Sequence, residues 1–221
     1  MRRMLKRVVQ QYRNRRILRH YFSQTMTPKL QVGCGKHVLP GWLNTDTCVQ
    51  DPSLPIYRFD ARQKFPFADG TFAYVFSEHM IEHIPYSAGL HMLSECQRVL
   101  KPLGVLRLCT PDLEFLLELR RPDKSPLQRE YIRWSAETNT PNVPDPTNET
   151  LVINNFVRDW GHTFIYDEKT LRQSMQLAGF SQLRRCGLQE SPVECLRNLE
   201  NEARMPPGFL RLESMVIEAT K

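Results

Sequence analysis

The residues of this chain that could do chemistry begin with a glycine turn and the acid that follows it. Leu30 and Val32 predict a short buried strand, and Gly33-Cys34-Gly35 comes directly after it. Two glycines at the end of a parallel strand expose backbone N–H groups and let a ligand approach the main chain. Asp46 ends the next predicted strand, where a carboxylate can accept hydrogen bonds from a ribose diol. This order predicts a pocket for a nucleoside-containing cofactor.

The spacing between the glycines and the acid narrows the kind of nucleoside. A dinucleotide fingerprint has a third glycine and an acid about 20 residues further on. Here Asp46 lies 11 residues after Gly35, and Pro40-Gly41 interrupts the segment between them. NAD therefore fits poorly, and a nucleoside without a pyrophosphate, such as S-adenosylmethionine, fits better.

A second group of residues could bind a metal or move a proton. His79, Glu82 and His83 have the spacing i, i+3 and i+4, which places them on one face of a helix, and His162 follows from a distant predicted loop. Two histidines and a carboxylate with a fourth ligand form a credible metal site. Alternatively, His83 or His162 acts as a general base for an acceptor hydroxyl, or the histidines are structural.

A parallel sheet is needed to position these residues. Further strands are predicted at 56–59, 72–76, 105–109, 180–188 and 212–219, and helices at 87–100 and 168–177. This alternation predicts a doubly wound, mostly parallel, seven-stranded α/β sheet. Ligands of such sheets bind outside the carboxyl ends of the strands. Gly33, Asp46, Asp60 and Ser77-Glu78 are all predicted to lie at those ends.

Two segments stand apart from this pattern. Periodicity lapses at 122–150. Residues 139–150 are rich in Pro, Asn and Thr, so we predict irregular structure at 139–150 and a lid or substrate loop at 139–165. Residues 1–20 hold eight Lys or Arg and no acid, which leaves the rest of the chain at a net charge of −2. Met1, Met4, Leu5, Val8 and Tyr12 share one helical face of this segment.

The basic N-terminal helix has several functions open to it. It could dock on its own domain, mediate a homodimer, lie on an anionic membrane surface or, least favoured, contact nucleic acid. Deletion of residues 1–20 is expected to leave cofactor affinity intact. The division predicted is a helical extension at 1–27 and one domain at 28–221. The six scattered cysteines, with no C-x-x-C pair, predict reduced thiols in a cytoplasm.

From residue 28 onward, the sequence resembles class I S-adenosylmethionine-dependent methyltransferases. The stretches LQVGCG, GWLNTD, SEHMIEHI, RVLKPLGVLRLCTPDLE and GHTFIYDEKTLRQSMQLAGF resemble, more narrowly, predicted bacterial methyltransferases associated with polysaccharide biosynthesis. The resemblance implies that Gly33 and Gly35 shape the turn beside the methionine moiety, Asp46 takes the ribose hydroxyls and Asp60 faces the adenine. Gln31 departs from the family, which usually has an acid there.

The resemblance and the residues together give one set of site predictions. The predicted cofactor-binding residues are Gln31, Gly33, Cys34, Gly35, Asn44, Asp46, Asp60, Ala61, Ser77, Glu78 and His79. His83, His162 and Glu82 are the predicted catalytic residues, without a metal, since methyl transfer from a sulfonium needs no Lewis acid. The expected acceptor is a hydroxyl or amine of a small molecule or glycan. The alternatives are a non-catalytic binding module and an RNA methyltransferase, which the near-neutral body disfavours.

Overall fold

The computed structural model describes residues 2–49, 51–140, 142 and 144–221. Within these residues, seven strands form one sheet: β1 (Lys29–Val32), β2 (Leu43–Asp46), β3 (Tyr57–Arg58), β4 (Phe72–Glu78), β5 (Leu100–Pro111), β6 (Ser181–Cys186) and β7 (Ser214–Thr220). The strand order is β3-β2-β1-β4-β5-β7-β6. Strands β1 to β5 pair in parallel, whereas β7 is antiparallel to β5 and β6. The predicted mostly parallel α/β sheet is confirmed.

The described chain also has seven α-helices: α1 (Arg2–Ser23), α2 (Tyr86–Val99), α3 (Leu113–Glu118), α4 (Pro126–Asn139), α5 (Glu149–Arg158), α6 (Glu168–Leu177) and α7 (Phe209–Glu213). α6 has the predicted bounds, and α2 begins and ends one residue before the predicted helix. None of the described helices is both long and apolar enough to cross a membrane.

Although the sequence shows no periodicity over 122–150, α4 and the start of α5 lie there; of the residues predicted to be irregular, 139–150, Asn139 ends α4 and Glu149 and Thr150 begin α5. α4 begins with a capping box in which Ser125 and Gln128 exchange hydrogen bonds between side chain and backbone. Tyr131 and Ile132 of α4 are buried in a second hydrophobic core with Phe115 and Phe156. The cap and this tertiary packing stabilise a helix whose apolar period is weak in the sequence.

The main hydrophobic core lies between the sheet and helices α2 and α6. Leu30, Val75 and Leu106 of three adjacent strands are fully buried there, together with Leu93 of α2 and Leu171 of α6. Because these strands run parallel, their carboxyl ends and the turns that follow them meet at one edge of the sheet.

The second half of α1 packs on its own domain. Ile17 and Tyr21 contact the main core, and the Tyr21 hydroxyl donates to the Lys29 carbonyl at 2.8 Å and accepts the Lys29 N–H at 2.6 Å. These contacts support docking, one of the functions that the sequence leaves open. Met1 and the side chain of Met4, which belong to the predicted apolar face, lie outside the described residues.

Candidate active site

A tight turn after β1 forms one wall of the candidate site. The backbone N–H groups of Gly33 and Cys34 both donate to the Thr45 carbonyl of β2, at 2.9 Å each. Gly33 has a φ of +73°, in the left-handed region that favours glycine. A Cβ atom on Gly33 would also collide with Cγ of Met80. Glycine is therefore required at position 33 for two reasons: the left-handed backbone conformation and the closeness of the Met80 side chain.

Asp46 ends β2 with its carboxylate held by the main chain. Oδ2 accepts the Gly35 N–H at 2.9 Å, and Oδ1 accepts the Cys48 N–H at 2.8 Å. Oδ1 also accepts the Thr47 hydroxyl at 3.5 Å, whereas Oδ2 keeps a further lone pair that can accept a hydrogen bond from a ribose hydroxyl. Burial, with the Asp46 charge, raises the pKa of the Cys34 thiol to about 12, so the thiol beside this carboxylate is neutral.

Asp60 follows β3 and is held by a neighbouring arginine. Arg62 Nε donates to Oδ1 at 3.0 Å, and Nη2 donates to Oδ2 at 2.8 Å. This fork holds the pKa of the Asp60 carboxyl below its ordinary value. An ionised acceptor beside the Ala61 backbone suits the amino edge of an adenine base.

A cavity of about 1130 Å³ lies at this edge of the sheet, with Gly33, Asp46, Asp60 and Ala61 among the residues that line it. Its volume is slightly above the usual range of small-molecule sites, which is on the order of 300–1,000 Å³. The side-chain-free turn at Gly33, the fixed Asp46 carboxylate and this volume fit a nucleoside cofactor with room for part of an acceptor.

Two predicted cofactor residues, Asn44 and Ser77, make hydrogen bonds within the protein that hold the segments next to the cavity. The Asn44 side chain accepts the Leu39 N–H at 2.8 Å and donates to the carbonyls of Leu39 and Trp42 at 3.0 Å each. Ser77 Oγ donates to the Val32 carbonyl at 3.0 Å. Both side chains are buried, so they fix the loop after β1 and the β1–β4 pairing.

Gln31 and Glu78 also hold neighbouring segments. Gln31 Nε2 donates to the His37 carbonyl at 3.0 Å, whereas its Oε1 is buried and accepts no hydrogen bond from the described residues. Glu78 Oε1 accepts the Asn201 N–H at 3.0 Å. Gln31 is not among the residues that line the cavity, so its predicted contact with the cofactor stays a prediction.

His79 is joined to distant parts of the chain and is not among the residues that line the cavity. Its Nε2 lies 2.8 Å from Ser214 Oγ, and its Nδ1 lies 2.6 Å from Arg204 Nη2 and 3.3 Å from Glu82 Oε1. These contacts tie the end of β4 to the segment before β7. The predicted place of His79 beside the cofactor remains untested.

Glu82, His83 and His162 come together, although the helix assumed for residues 79–83 is only a 3₁₀ turn over Ile81–His83. The two imidazole rings have centroids 4.9 Å apart and an interplanar angle of 64°. His83 lines the cavity, and its Nε2 lies 4.0 Å from Glu82 Oε1. One ligand atom from each of the three side chains lies within 4.8 Å of the others, so the group could move a proton or hold a cation.

The directions of the pKa shifts favour an ionised Glu82 and a neutral His162. Burial alone would raise the pKa of the fully buried Glu82 carboxyl, but His79 and His83 outweigh burial and hold it below its ordinary value. Burial lowers the pKa of His162 below its ordinary value. His162 Nδ1 lies 2.7 Å from the Phe156 carbonyl, which can only accept, so Nδ1 carries the proton and Nε2 is a free base.

The loop that carries His162 is fixed against Glu82 by its backbone. The N–H groups of Thr163 and Phe164 donate to the Glu82 carbonyl at 2.7 and 3.2 Å. Trp160, with a φ of +56°, precedes Gly161, with a φ of +77°, in the turn before His162. A bulky residue in the left-handed region is strained, and such strain clusters at functional sites.

Sequence reasoning missed several residues of the site. Met80 covers the glycine turn, and Gln10, Gln11 and Asn14 of α1 line the same cavity. The i, i+1, i+4 spacing of the three amides was a usable signal, because it places them on one side of a helix. Arg204 reaches His79 from a segment with no local motif, so no sequence signal pointed to it.

Comparison with known proteins agrees with this geometry. A family model for a methyltransferase domain matches residues 30–108. No curated protein is similar enough to match the chain. A SAM-dependent methyltransferase from Archaeoglobus fulgidus is similar at 14% identity and a TM-score of 0.51, with 96% of this chain and 94% of that chain covered. A SAM-dependent methyltransferase from Thermotoga maritima is similar at 18% identity and a TM-score of 0.51, with 100% of both chains covered.

The two solved structures share the fold, and the family model matches the segment that holds the glycine turn, Asp46 and Asp60. The chain therefore contains a methyltransferase domain over residues 30–108, and its fold is that of S-adenosylmethionine-dependent methyltransferases. The predicted fold is confirmed, and the match to a methyltransferase domain agrees with the predicted class and cofactor.

Proposed function

We propose that this enzyme methylates a hydroxyl or amine of a small molecule or glycan, and that Glu82, His83 and His162 take up the proton lost by the acceptor. The free base at His162 Nε2, beside the cavity-lining His83, is the observation that carries the proposal. The predicted cofactor residues, with Asp46 on the ribose and Asp60 on the adenine, belong to the same proposal.

The cofactor supplies a methyl group already activated as a sulfonium. The protein then needs to hold the acceptor atom in line, which accounts for most of the rate. A hydroxyl or ammonium acceptor must also lose a proton, which a base within reach can accept. Ionised Glu82 next to the histidines stabilises the imidazolium that would form, as the orienting acid does in other acid–base groups. No metal is needed for these roles.

Charge supports a neutral acceptor rather than RNA. The chain beyond residue 20 has a net charge of −2, and the cavity lining balances Asp46 and Asp60 against Arg58 and Arg62. A nucleic-acid groove would instead concentrate Lys and Arg near the site. The narrower resemblance to methyltransferases of polysaccharide biosynthesis supports a sugar hydroxyl. The region 139–165, which contains α5 and His162, is proposed as the lid or substrate loop for this acceptor.

The acceptor class can be tested with labelled cofactor. We would incubate the enzyme with radiolabelled S-adenosylmethionine and with separate pools of nucleotide sugars, oligosaccharides, small amines and total RNA, and identify products by mass spectrometry. Label on an oxygen or nitrogen of a sugar or small amine is expected. Methylation confined to RNA would overturn the proposed acceptor class.

The proton-accepting group can be tested by substitution. His162→Ala and His83→Ala should each lower kcat about 10²- to 10⁴-fold, because a general base is lost. S-adenosylhomocysteine binding should stay unchanged, and His91→Ala, on the exposed face of α2, is the matched control. Activity that falls on chelation and returns with divalent ions would replace the metal-free mechanism with a metal site at these residues.

The outer face of α1 is proposed to contact an anionic membrane surface. Leu5, Val8, Val9 and Tyr12 are exposed large apolar side chains on this helix, and Arg15, Arg16 and Arg19 are exposed as well. An exposed face that combines apolar and basic side chains suits a lipid headgroup layer. The six cysteines are free thiols, which supports the proposed cytoplasmic location.

A further inference from the structure

We propose that α1 is part of the cofactor site and closes over the adenosine end of the cavity, so that docking of α1 and binding of cofactor stabilise each other. This inference depends on the assignment of the cofactor to this cavity and does not depend on which acceptor is methylated. It replaces the expectation that residues 1–20 leave cofactor affinity unchanged.

The first support is the lining of the cavity. Gln10, Gln11 and Asn14 of α1 line the same cavity as Asp46, at the end of β2, and Asp60, after β3. Their side chains are neutral amides, each of which can donate and accept hydrogen bonds. Such groups match the polar edges of a nucleoside without adding charge next to two carboxylates.

The second support is the attachment of α1 to the edge strand β3. Asn14 Nδ2 donates to the Arg58 carbonyl at 2.8 Å, and Asn14 Oδ1 accepts the Arg58 N–H at 3.1 Å. The amide thus pairs with the outer edge of β3 as a neighbouring strand would. Arg13 Nη2 donates to the Leu54 carbonyl at 2.6 Å, just before β3. Since β3 leads into Asp60, the position of α1 sets one wall of the adenosine end.

The third support is a division of roles among the amides. Gln10 Nε2 donates to Asn14 Oδ1 at 2.8 Å, so Gln10 orients Asn14. Gln11 is exposed and makes no side-chain hydrogen bond with the described residues, although it lines the cavity. Gln11 is therefore free to bind a ligand, whereas Asn14 fixes the helix. A cofactor that contacts both α1 and the sheet stabilises the docked position of α1. By linkage, docked α1 increases cofactor affinity by the same factor.

Limited trypsin digestion tests this coupling directly. Arg13, Arg15, Arg16 and Arg19 offer cleavage sites within α1, and the exposed Arg120-Arg121 turn after α3 offers an internal control site. Saturating S-adenosylhomocysteine should slow cleavage within α1 about 10-fold or more while cleavage at the control site is unchanged. Equal cleavage of α1 with and without the ligand would overturn the inference.

Calorimetric titration of S-adenosylhomocysteine separates the residues. Gln11→Ala should weaken binding about 3- to 10-fold without changing the melting temperature of the free enzyme, because it loses no internal hydrogen bond. Asn14→Ala should weaken binding and also speed cleavage of α1. Tyr12→Ala, on the outer face, is the control and should bind as wild type.

The outcomes distinguish this inference from the cofactor assignment. Asp46→Ala serves as the variant expected to lose binding without any change in α1. If wild type fails to bind S-adenosylhomocysteine, the assigned cofactor pocket is wrong. If wild type binds and Asp46→Ala does not, but Gln11→Ala and Asn14→Ala bind as wild type, α1 has no part in the site.

Discussion

At the scale of single residues, Gly33 is constrained twice, by its backbone and by Met80. Gly33→Ala should raise the dissociation constant of S-adenosylhomocysteine and lower the free energy of unfolding. Gly70→Ala is the matched control, because Gly70 has a φ of +62° but no atom within 4 Å of a Cβ. Both variants have backbone strain of about 1 kcal/mol, so the difference between them measures the collision with Met80.

Thermal denaturation with and without S-adenosylhomocysteine measures both effects. The double variant Gly33→Ala/Met80→Ala should recover part of the lost affinity, because the colliding side chain is shortened. If Gly33→Ala binds the ligand as well as Gly70→Ala does, the glycine turn is not a wall of the cofactor site.

His162 predicts the acid limit of activity. A base works only when unprotonated, and burial lowers the pKa of His162, so the loss of kcat/KM on acidification is expected below the ordinary histidine value of about 6.5. In His162→Ala, the residual activity should no longer fall on acidification in this pH range. The other titratable groups beside the site, Glu82, His79 and His83, are still present in this variant. A wild-type midpoint above about 6.5, or a limb that survives in His162→Ala, would contradict the role of His162 as the base.

At the scale of elements, Asn44 shows how a predicted site residue can act through a loop. Asn44→Ala removes three hydrogen bonds to the loop after β1 and leaves buried backbone groups at Leu39 unpaired. We expect the free energy of unfolding to fall by about 2–4 kcal/mol. Asn154→Ala, at an exposed position of α5, is the control and should change stability little.

Urea unfolding and ligand titration of the same variant distinguish two roles of Asn44. A supporting role gives a large loss of stability with weaker cofactor binding as a consequence. A loss of affinity at unchanged stability would instead show direct contact between Asn44 and the cofactor.

The elements differ in how well the sequence predicts them. β1, β2, β4 and α6 were predictable because an apolar period and a flanking glycine or cap lie within a few residues of each other. α4 was not, since its helix depends on burial of Tyr131 against residues of α3 and α5. The 3₁₀ turn at Ile81–His83 was mistaken for a helix because i, i+3 and i+4 spacing alone does not fix helix length.

At the scale of the whole molecule, charge and exposed apolar surface are concentrated on α1. The enzyme should sediment with vesicles that contain phosphatidylserine but not with neutral vesicles, and added salt should release it, because each basic residue near the surface contributes about 1 kcal/mol. Deletion of residues 1–20 should abolish this binding. The structure does not describe four of the basic side chains of this helix, those of Arg2, Arg3, Lys6 and Arg7.

The matched control keeps the charge and changes the apolar face. Leu5→Ser/Val8→Ser should reduce vesicle binding while cofactor affinity stays unchanged, because neither residue lines the cavity. Vesicle binding that survives the deletion would exclude α1 as the contact. Sedimentation as a dimer that the same double variant dissociates would assign the face to a second copy of the chain.

The sequence by itself determined the glycine turn, the acid at the end of β2 and the order of the strands, because each depends on neighbouring residues. The tertiary structure decided which distant groups meet: Met80 on Gly33, Arg204 on His79 and the amides of α1 over the cavity. The physical reason is that backbone geometry and the apolar period depend on residues that are close in the sequence. A contact such as that between His79 and Ser214, 135 residues apart, exists only once the chain has folded.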